Sequence, residues 1–160
     1  LKTIKLQKVS KYYQDGDQVS VGMKNVSLSF NIGEFVAITG ESGSGKTTLL
    51  NVISGLDKYE DGEMYIFGEE SSHFQMHDLE KYRREYIGFV FQNYNIIDSY
   101  TVYQNVILAL ELQEYPYKLR KKRALEIIKE VGLFQQRNQK ASKLSGGQKQ
   151  RTVIARALAK

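Results

Sequence analysis

No cysteine occurs in this 160-residue chain, so neither a disulfide framework nor a cysteine-ligated metal site can be built from it. That absence suits a reducing compartment such as the cytosol. Long apolar runs are absent too. The longest, at residues 35–39 and 106–110, fall far short of the roughly 20 residues that a membrane-spanning helix needs. The start lacks the pattern of a secretory signal, so contact with a membrane is expected through a partner or through further sequence. Histidine is scarce. His73 and His77 have the spacing of a zinc-binding helix, but Phe74 stands where the glutamate of an H-E-x-x-H site belongs, and surface histidines are the expected reading. There is no internal repeat, low-complexity tract or obvious linker.

What remains is the composition of an ordinary globular domain, 41% apolar and 26% charged, long enough to bury a core. Twenty-three Lys and Arg against 18 Asp and Glu give +5, a general preference for phosphate-bearing or anionic partners. The densest basic run, Lys-Leu-Arg-Lys-Lys-Arg at 118–123, leads into a helical pattern without interleaved aromatics. It reads as a solvated helix face and not as a nucleic-acid groove.

Alternation at period two predicts short strands around Ile4 and Leu6, around Val19 and Val21, and over Val26, Leu28 and Phe30, with Asp15-Gly16-Asp17 turning between the first two. Phe35-Val36-Ala37-Ile38 is a continuous apolar run of the kind found in strands buried on both faces. A helix is expected over 47–54, with Leu49, Leu50 and Ile53 as its apolar side and Gly55 at its end. Asp61-Gly62 opens a strand around 64–67; loop and helix follow to Arg84, then a second buried-type strand at 87–91. The middle third is helical. Thr101 and Gln104 have capping-box spacing ahead of Val102, Val106 and Leu110, and Ala124, Ile127, Ile128 and Val131 form another stripe that Gly132 stops. A third helix over 148–159 follows Ser145-Gly146-Gly147.

Two constellations carry chemistry. Gly40-Glu41-Ser42-Gly43-Ser44-Gly45-Lys46-Thr47 satisfies G-x-x-x-x-G-K-[ST] between an expected buried strand and an expected helix. Its glycines let the backbone curl so that amides point at phosphates, Lys46 would reach the β- and γ-phosphates, and the Thr47 hydroxyl would ligate Mg²⁺. Leu144-Ser145-Gly146-Gly147-Gln148 is a second anion site in prospect, because Ser145 can cap a helix whose first amides Gly146 and Gly147 leave open.

Together these motifs resemble the ATP-binding cassette superfamily, 144–148 being similar to its signature motif. Stretches 33–38, 87–92, 148–151 and 155–159 extend the likeness along the chain, towards the group that serves lipoprotein release and the export of macrolides and antimicrobial peptides. The resemblance implies an α/β fold: a P-loop NTPase (RecA-like) core with an N-terminal antiparallel β-subdomain and an α-helical subdomain. It divides the chain into a nucleotide-binding core over 1–92, a helical subdomain over 93–143 and the signature helix over 144–160. It implies that Gln92 helps to hold Mg²⁺ and relays the nucleotide state, and that Lys46 and Gln92 serve catalysis. Tyr13 would stack on adenine, with Tyr12 as the other candidate. Gly40, Ser42, Gly43, Ser44, Gly45, Lys46, Thr47 and Thr48 would bind the ATP phosphates. Ser145, Gly146, Gly147 and Gln148 would meet the γ-phosphate of ATP held by a second subunit in a head-to-tail dimer. A transmembrane permease subunit or domain is the implied partner on the cytosolic face of the membrane, and no nucleic acid is expected.

One departure accompanies the match. The family's next segment, an apolar strand ending in the aspartate and glutamate that serve Mg²⁺ and the attacking water, does not occur within the 160 residues. The expectation is therefore a cassette whose core lacks its C-terminal part, binding nucleotide better than cleaving it. A soluble ATPase of translation or DNA repair is the rival from another class, but no heptad array separates Gln92 from Leu144. A non-hydrolysing nucleotide-binding module is the other alternative.

Overall fold

The computed structural model of the chain describes residues 2–160 and divides into two units, one ending at Tyr82 and the other spanning Arg83–Lys160. In the first, β1 (Lys2–Asp15) and β2 (Gln18–Asn31) form a long antiparallel hairpin, closed by a two-residue turn in which Gly16 takes a φ of 60°. β3 (Asp61–Ile66) pairs antiparallel with the other edge of β1, and the two-residue β4 (Glu69–Glu70) completes the order β2-β1-β3-β4.

The alternating stretches at 19–21 and 26–30 form one strand, not two. Register shifts absorb the break between them, with Lys8 and Asn25 both at a φ of 50°. Two hydroxyls serve these irregular positions. Ser27 Oγ accepts from the Lys8 amide at 2.9 Å, and Ser10 Oγ from the Asn25 amide at 3.0 Å. Gly62 is required opposite the Lys8 irregularity, since a Cβ there would lie 2.4 Å from the Lys8 carbonyl oxygen.

α1 (Lys46–Ile53) buries Leu49 and Val52, one face three residues apart, whereas Leu50 is half exposed; the expected 49/50/53 face is thus turned. α2 (Met76–Tyr86) buries Leu79 and Tyr82, and the Tyr82 hydroxyl donates to the Ile53 carbonyl at 2.8 Å. Burial pushes that hydroxyl's pKa up to about 12.

The two expected buried strands are the main difference from the sequence reading. Residues 35–38 and 87–91 have no ladder among the described residues; Phe35 is fully exposed, and Val36, Val90 and Phe91 are 49%, 50% and 40% exposed. A continuous apolar run becomes a two-sided buried strand only when strands distant in sequence flank it, and no described strand lies beside either segment.

The second unit is helical. α3 (Val102–Leu112), α4 (Tyr117–Glu130) and α5 (Gly146–Ala157) close around a core that includes Val102, Val106, Leu110, Ala124, Ile127, Ile128 and Leu133, all at 0% exposure. Fully burying each such Leu or Ile side chain stabilises by about 1.5–3 kcal/mol. The capping box at the start of α3 forms as the spacing requires: the Thr101 hydroxyl accepts from the Gln104 amide, and the Gln104 side chain accepts from the Thr101 amide. Gly132, at a φ of 70°, follows the end of α4.

Among the described residues of the first unit, Lys11 is the one lysine that is almost wholly buried. Its Nζ lies 2.9 Å from Glu60 Oε1 and 3.2 Å from Asp57 Oδ1. Burial alone would lower its pKa, but hydrogen bonds to Glu60 and Asp57 together outweigh that and hold it above the ordinary lysine value. A raised folded-state pKa gives stability that is complete below the unfolded value and is lost as pH rises through the folded one. The stability gap between wild type and Lys11→Met, measured by urea unfolding, is therefore expected to hold at neutral pH and to shrink above about pH 10.4. A gap independent of pH would exclude the ion cluster as its source.

Candidate functional site

The expected site residues fall in both units. In the first, Gly45 takes the N-cap position of α1 with a φ of 89° and has no side chain to occupy the helix's first amides. The amides of Lys46, Thr47 and Thr48 are by position the ones an α-helix leaves without an internal partner, and the positive end of the helix dipole lies there too. The Lys46 ammonium folds into the loop, donating to the Gly40 carbonyl at 2.8 Å, to the Glu41 carbonyl, and to Ser44 Oγ at 3.2 Å. Ser44 N donates to the Glu41 carbonyl at 3.2 Å and tightens the same turn. Ser42, Gly43 and Thr47 are exposed. The loop thus sets a cation among exposed backbone at a helix start, which is the arrangement that suits a polyphosphate.

Of the two tyrosines, Tyr13 is the one whose side chain reaches the start of α1. The Tyr13 hydroxyl donates to Thr48 Oγ1 at 3.3 Å, while the Tyr12 amide donates to the Glu60 carboxylate. Adjacent residues of a strand point to opposite faces, so only one of the pair can face the loop. The Tyr13 ring is 37% exposed, enough to offer a planar apolar surface, and the Lys11 ammonium sits 5.2 Å from its centre.

Sequence reasoning missed Gly22 and Lys11. A Cβ on Gly22 would stand 2.6 Å from the Tyr13 ring and 2.9 Å from the Thr48 methyl, so this glycine makes room for both. Its carbonyl also touches the space above Gly45. The signal was present: a glycine inside an alternating strand, between Val21 and Met23, marks a close approach of another group. Lys11 carried no comparable signal, since its carboxylate partners lie 46 and 49 residues away.

In the second unit Ser145 is the N-cap of α5. Its hydroxyl accepts from the Gln148 amide at 3.3 Å, and Gln148 Oε1 accepts from the Ser145 amide at 3.0 Å, a complete capping box. That pairing uses the Gln148 amide, and those of Gly146 and Gly147 are by position the ones the helix leaves without an internal partner, on two exposed residues; a Cβ on Gly147 would meet nothing within 4 Å. Gln92 lies exposed in a turn that the Tyr94 amide closes by donating to the Phe91 carbonyl at 3.1 Å. The segment after it is fastened to α5: the Tyr94 hydroxyl lies 3.4 Å from where a Gly146 Cβ would be, Arg156 donates to the Asn95 carbonyl, and Lys149 pairs with Asp98 at 3.3 Å.

His73 and His77 are exposed, and each has an acidic neighbour, Glu70 at 3.6 Å and Asp78 at 3.2 Å. Among the described residues no group of three or more His, Cys, Asp or Glu side chains could hold a metal ion, and no helix is long and apolar enough to cross a membrane.

Comparison with known proteins agrees with this geometry. The family model described as ABC transporter matches residues 23–160. An uncharacterized ABC transporter ATP-binding protein, MJ0796 of Methanocaldococcus jannaschii, is 46% identical over 161 residues, covering 98% of this chain and 68% of the relative. The lipoprotein-releasing system ATP-binding protein LolD of Francisella tularensis is 42% identical over 151 residues, covering 94% of this chain and 65% of the relative. The solved dimeric structure of the MJ0796 cassette in a post-hydrolysis state, bound to ADP and Pi, superposes with a TM-score of 0.87 at 45% identity, covering 98% of this chain and 69% of that one. The chain thus spans about two thirds of the length of these relatives and belongs to the ABC transporter family, with the α/β fold of its ATP-binding cassettes.

Proposed function

We propose that this chain is the ATP-binding part of a transporter's motor subunit, which couples ATP binding and hydrolysis to movement of a substrate across a membrane, in the direction of export or release. The observation that carries this reading is the pair of helix starts, one at Lys46 and one behind Ser145, each built to meet an anion and both within the residues that the family model matches. In a head-to-tail dimer, Gly40 and Ser42 to Thr48 would hold the phosphates of one ATP. Ser145, Gly146, Gly147 and Gln148 would meet the γ-phosphate of the ATP on the partner subunit. Tyr13 would take the adenine against its ring.

The residues present fit a nucleotide-bound Mg²⁺. Thr47 is exposed at the loop, and with no carboxylate cage among the described residues, such an ion would be held by hydroxyl, amide and phosphate oxygens, as Mg²⁺ commonly is beside a nucleotide. Thr47 and Gln92 are the residues we assign to it. When bound, the ion neutralises charge on the β- and γ-phosphates. Lys46 adds a second positive charge at the same oxygens, and the loop amides orient them. Residues 93–143 form the helical subdomain in this reading. The exposed turn at Gln92 would relay the nucleotide state to a membrane-embedded permease on the cytosolic side.

Lys46→Ala tests the assignment. Hydrogen bonds to charged groups contribute about 1.5–3 kcal/mol, so the variant is expected to bind ATP roughly 10- to 150-fold more weakly in a titration with a fluorescent ATP analogue. Equal affinity would remove Lys46 from the phosphate site, and a wild-type protein without ATP affinity would remove the reading itself.

A further inference from the structure

The basic run of the sequence forms a surface that the nucleotide site does not use. α4 (Tyr117–Glu130) has six Lys and Arg against two Glu, a net +4 within a chain whose total is +5. Its two arginines are engaged, Arg120 with Glu111 at 3.5 Å and Arg123 with Glu126 at 3.9 Å. Lys118, Lys121, Lys122 and Lys129 are exposed and have no carboxylate within 4.0 Å among the described residues. Spacings of four and seven residues put the ammonium groups of Lys118, Lys122 and Lys129 on one stripe, away from the face that buries Ala124, Ile127 and Ile128, with Lys121 on the flank between the two. The start of the helix has no side-chain cap, so its dipole adds positive potential at the end where the lysines are densest.

Apolar groups cluster at that same end. Leu112, Tyr117 and Leu119 are 69%, 83% and 51% exposed, placed by the last turn of α3 and the first turn of α4. We propose that this end of the α3–α4 hairpin is a docking surface for a bilayer with anionic headgroups, where Lys118, Lys121 and Lys122 meet the phosphates and carboxylates and Tyr117 and Leu119 enter the interface. Three features favour a bilayer over a nucleic acid. Lysine stems flatten along apolar surface while their heads stay with headgroups. The unpaired charge is all lysine, which meets a diffuse anionic surface as well as arginine does, whereas arginine's planar fork is what nucleic-acid recognition favours. The neighbouring aromatic, Tyr115, packs against the core and so supplies no second stacking platform beside Tyr117.

The test is co-sedimentation of the full-length protein with vesicles of phosphatidylcholine alone or with about 30% phosphatidylserine, at low salt and at about 0.5 M salt. Binding is expected only with the anionic vesicles and to vanish at high salt. Lys118→Glu/Lys121→Glu/Lys122→Glu is expected to weaken it by about 100-fold, and Tyr117→Ser/Leu119→Ser by about tenfold. Lys24→Glu/Lys58→Glu/Lys81→Glu makes the same change in net charge at exposed lysines of the other unit and is expected to bind as the wild type does, with unchanged far-ultraviolet circular dichroism in all three variants. The proposal is overturned if both triple variants bind alike, if wild type binds neither vesicle, or if single-stranded RNA binds more tightly than the anionic vesicles. None of these outcomes bears on Lys46 or on ATP.

Discussion

Gly45→Ala is expected to abolish measurable ATP binding, a loss of at least about 100-fold, while Gly43→Ala costs about tenfold. Both glycines have positive φ, 89° and 80°, so both variants carry the strain of about 1–2 kcal/mol that an L-residue meets there. Only Gly45 is also fenced in. A Cβ on it would lie 2.4 Å from the Gly22 carbonyl oxygen, whereas one on Gly43 meets nothing within 4 Å. Gly22 is the extra residue at a register shift of the β1–β2 ladder, and its neighbours Val21, paired with Tyr12, and Met23, paired with Lys11, limit how far its carbonyl can retreat. The loop would have to move instead, and its movement takes the start of α1 and the Lys46 contacts with Gly40 and Ser44 out of register. Titration with a fluorescent ATP analogue, with melting temperature as the check on folding, separates the two variants. Similar affinities for both would mean that the Gly22 contact does not set the loop.

The reach of each feature along the chain decides how legible it was. The capping box of Thr101 with Gln104 and the Ser145 cap close within four residues, so spacing alone was sufficient and the hydrogen bonds follow it; the return bond from Gln148, which makes the second a full box, was as local but not read. The phosphate loop is as local, and Lys46 folds onto oxygens no more than six residues away. The faces of α3 and α4 follow from their apolar period, with Val106 and Ile127 fully buried where it places them. Failures occur where a neighbour distant in sequence decides. The apolar runs at 35–38 and 87–91 state that both faces of a strand could be buried, but say nothing of what pairs with them. The single strand β2 depends on Ser10 and Ser27 serving irregular positions 15 and 19 residues away. The preference for Tyr13 over Tyr12 came from the family resemblance and not from the local pattern; the contact that sets Tyr13 beside the loop is with Thr48, 35 residues on.

Asn105 is the sharpest case of the same rule, and Asn105→Leu is expected to destabilise the helical unit by about 3 kcal/mol. In the sequence it interrupts an apolar stretch of α3. In the structure it is 1% exposed, with Oδ1 accepting from the Ile97 amide at 3.1 Å and Nδ2 donating to the carbonyls of Ile97 at 3.2 Å and Thr101 at 3.0 Å. Leucine has the same branched skeleton with bulkier tips, so no cavity opens, and the cost comes from the polar group left without a partner together with some crowding. The Thr101 carbonyl keeps its helical bond from the Asn105 amide at 3.0 Å, and the Ile97 carbonyl keeps one from the Tyr100 amide at 3.1 Å, so the Ile97 amide is the group left without a partner. Release of Ile97 should spread to its neighbours, since the Asp98 carbonyl accepts from Ser142, the Tyr100 carbonyl accepts from Ala141, and Asp98 pairs with Lys149 of α5. Val106→Ala provides the contrast, because it removes core volume on the next residue without touching those bonds. Both variants should lower the urea midpoint, but only Asn105→Leu should raise amide hydrogen exchange across 97–100 and 141–142 beyond the change in global stability. Exchange there that tracks global stability in both variants would show that packing of α3, and not the Asn105 amide, holds the segment between Gln92 and the signature helix.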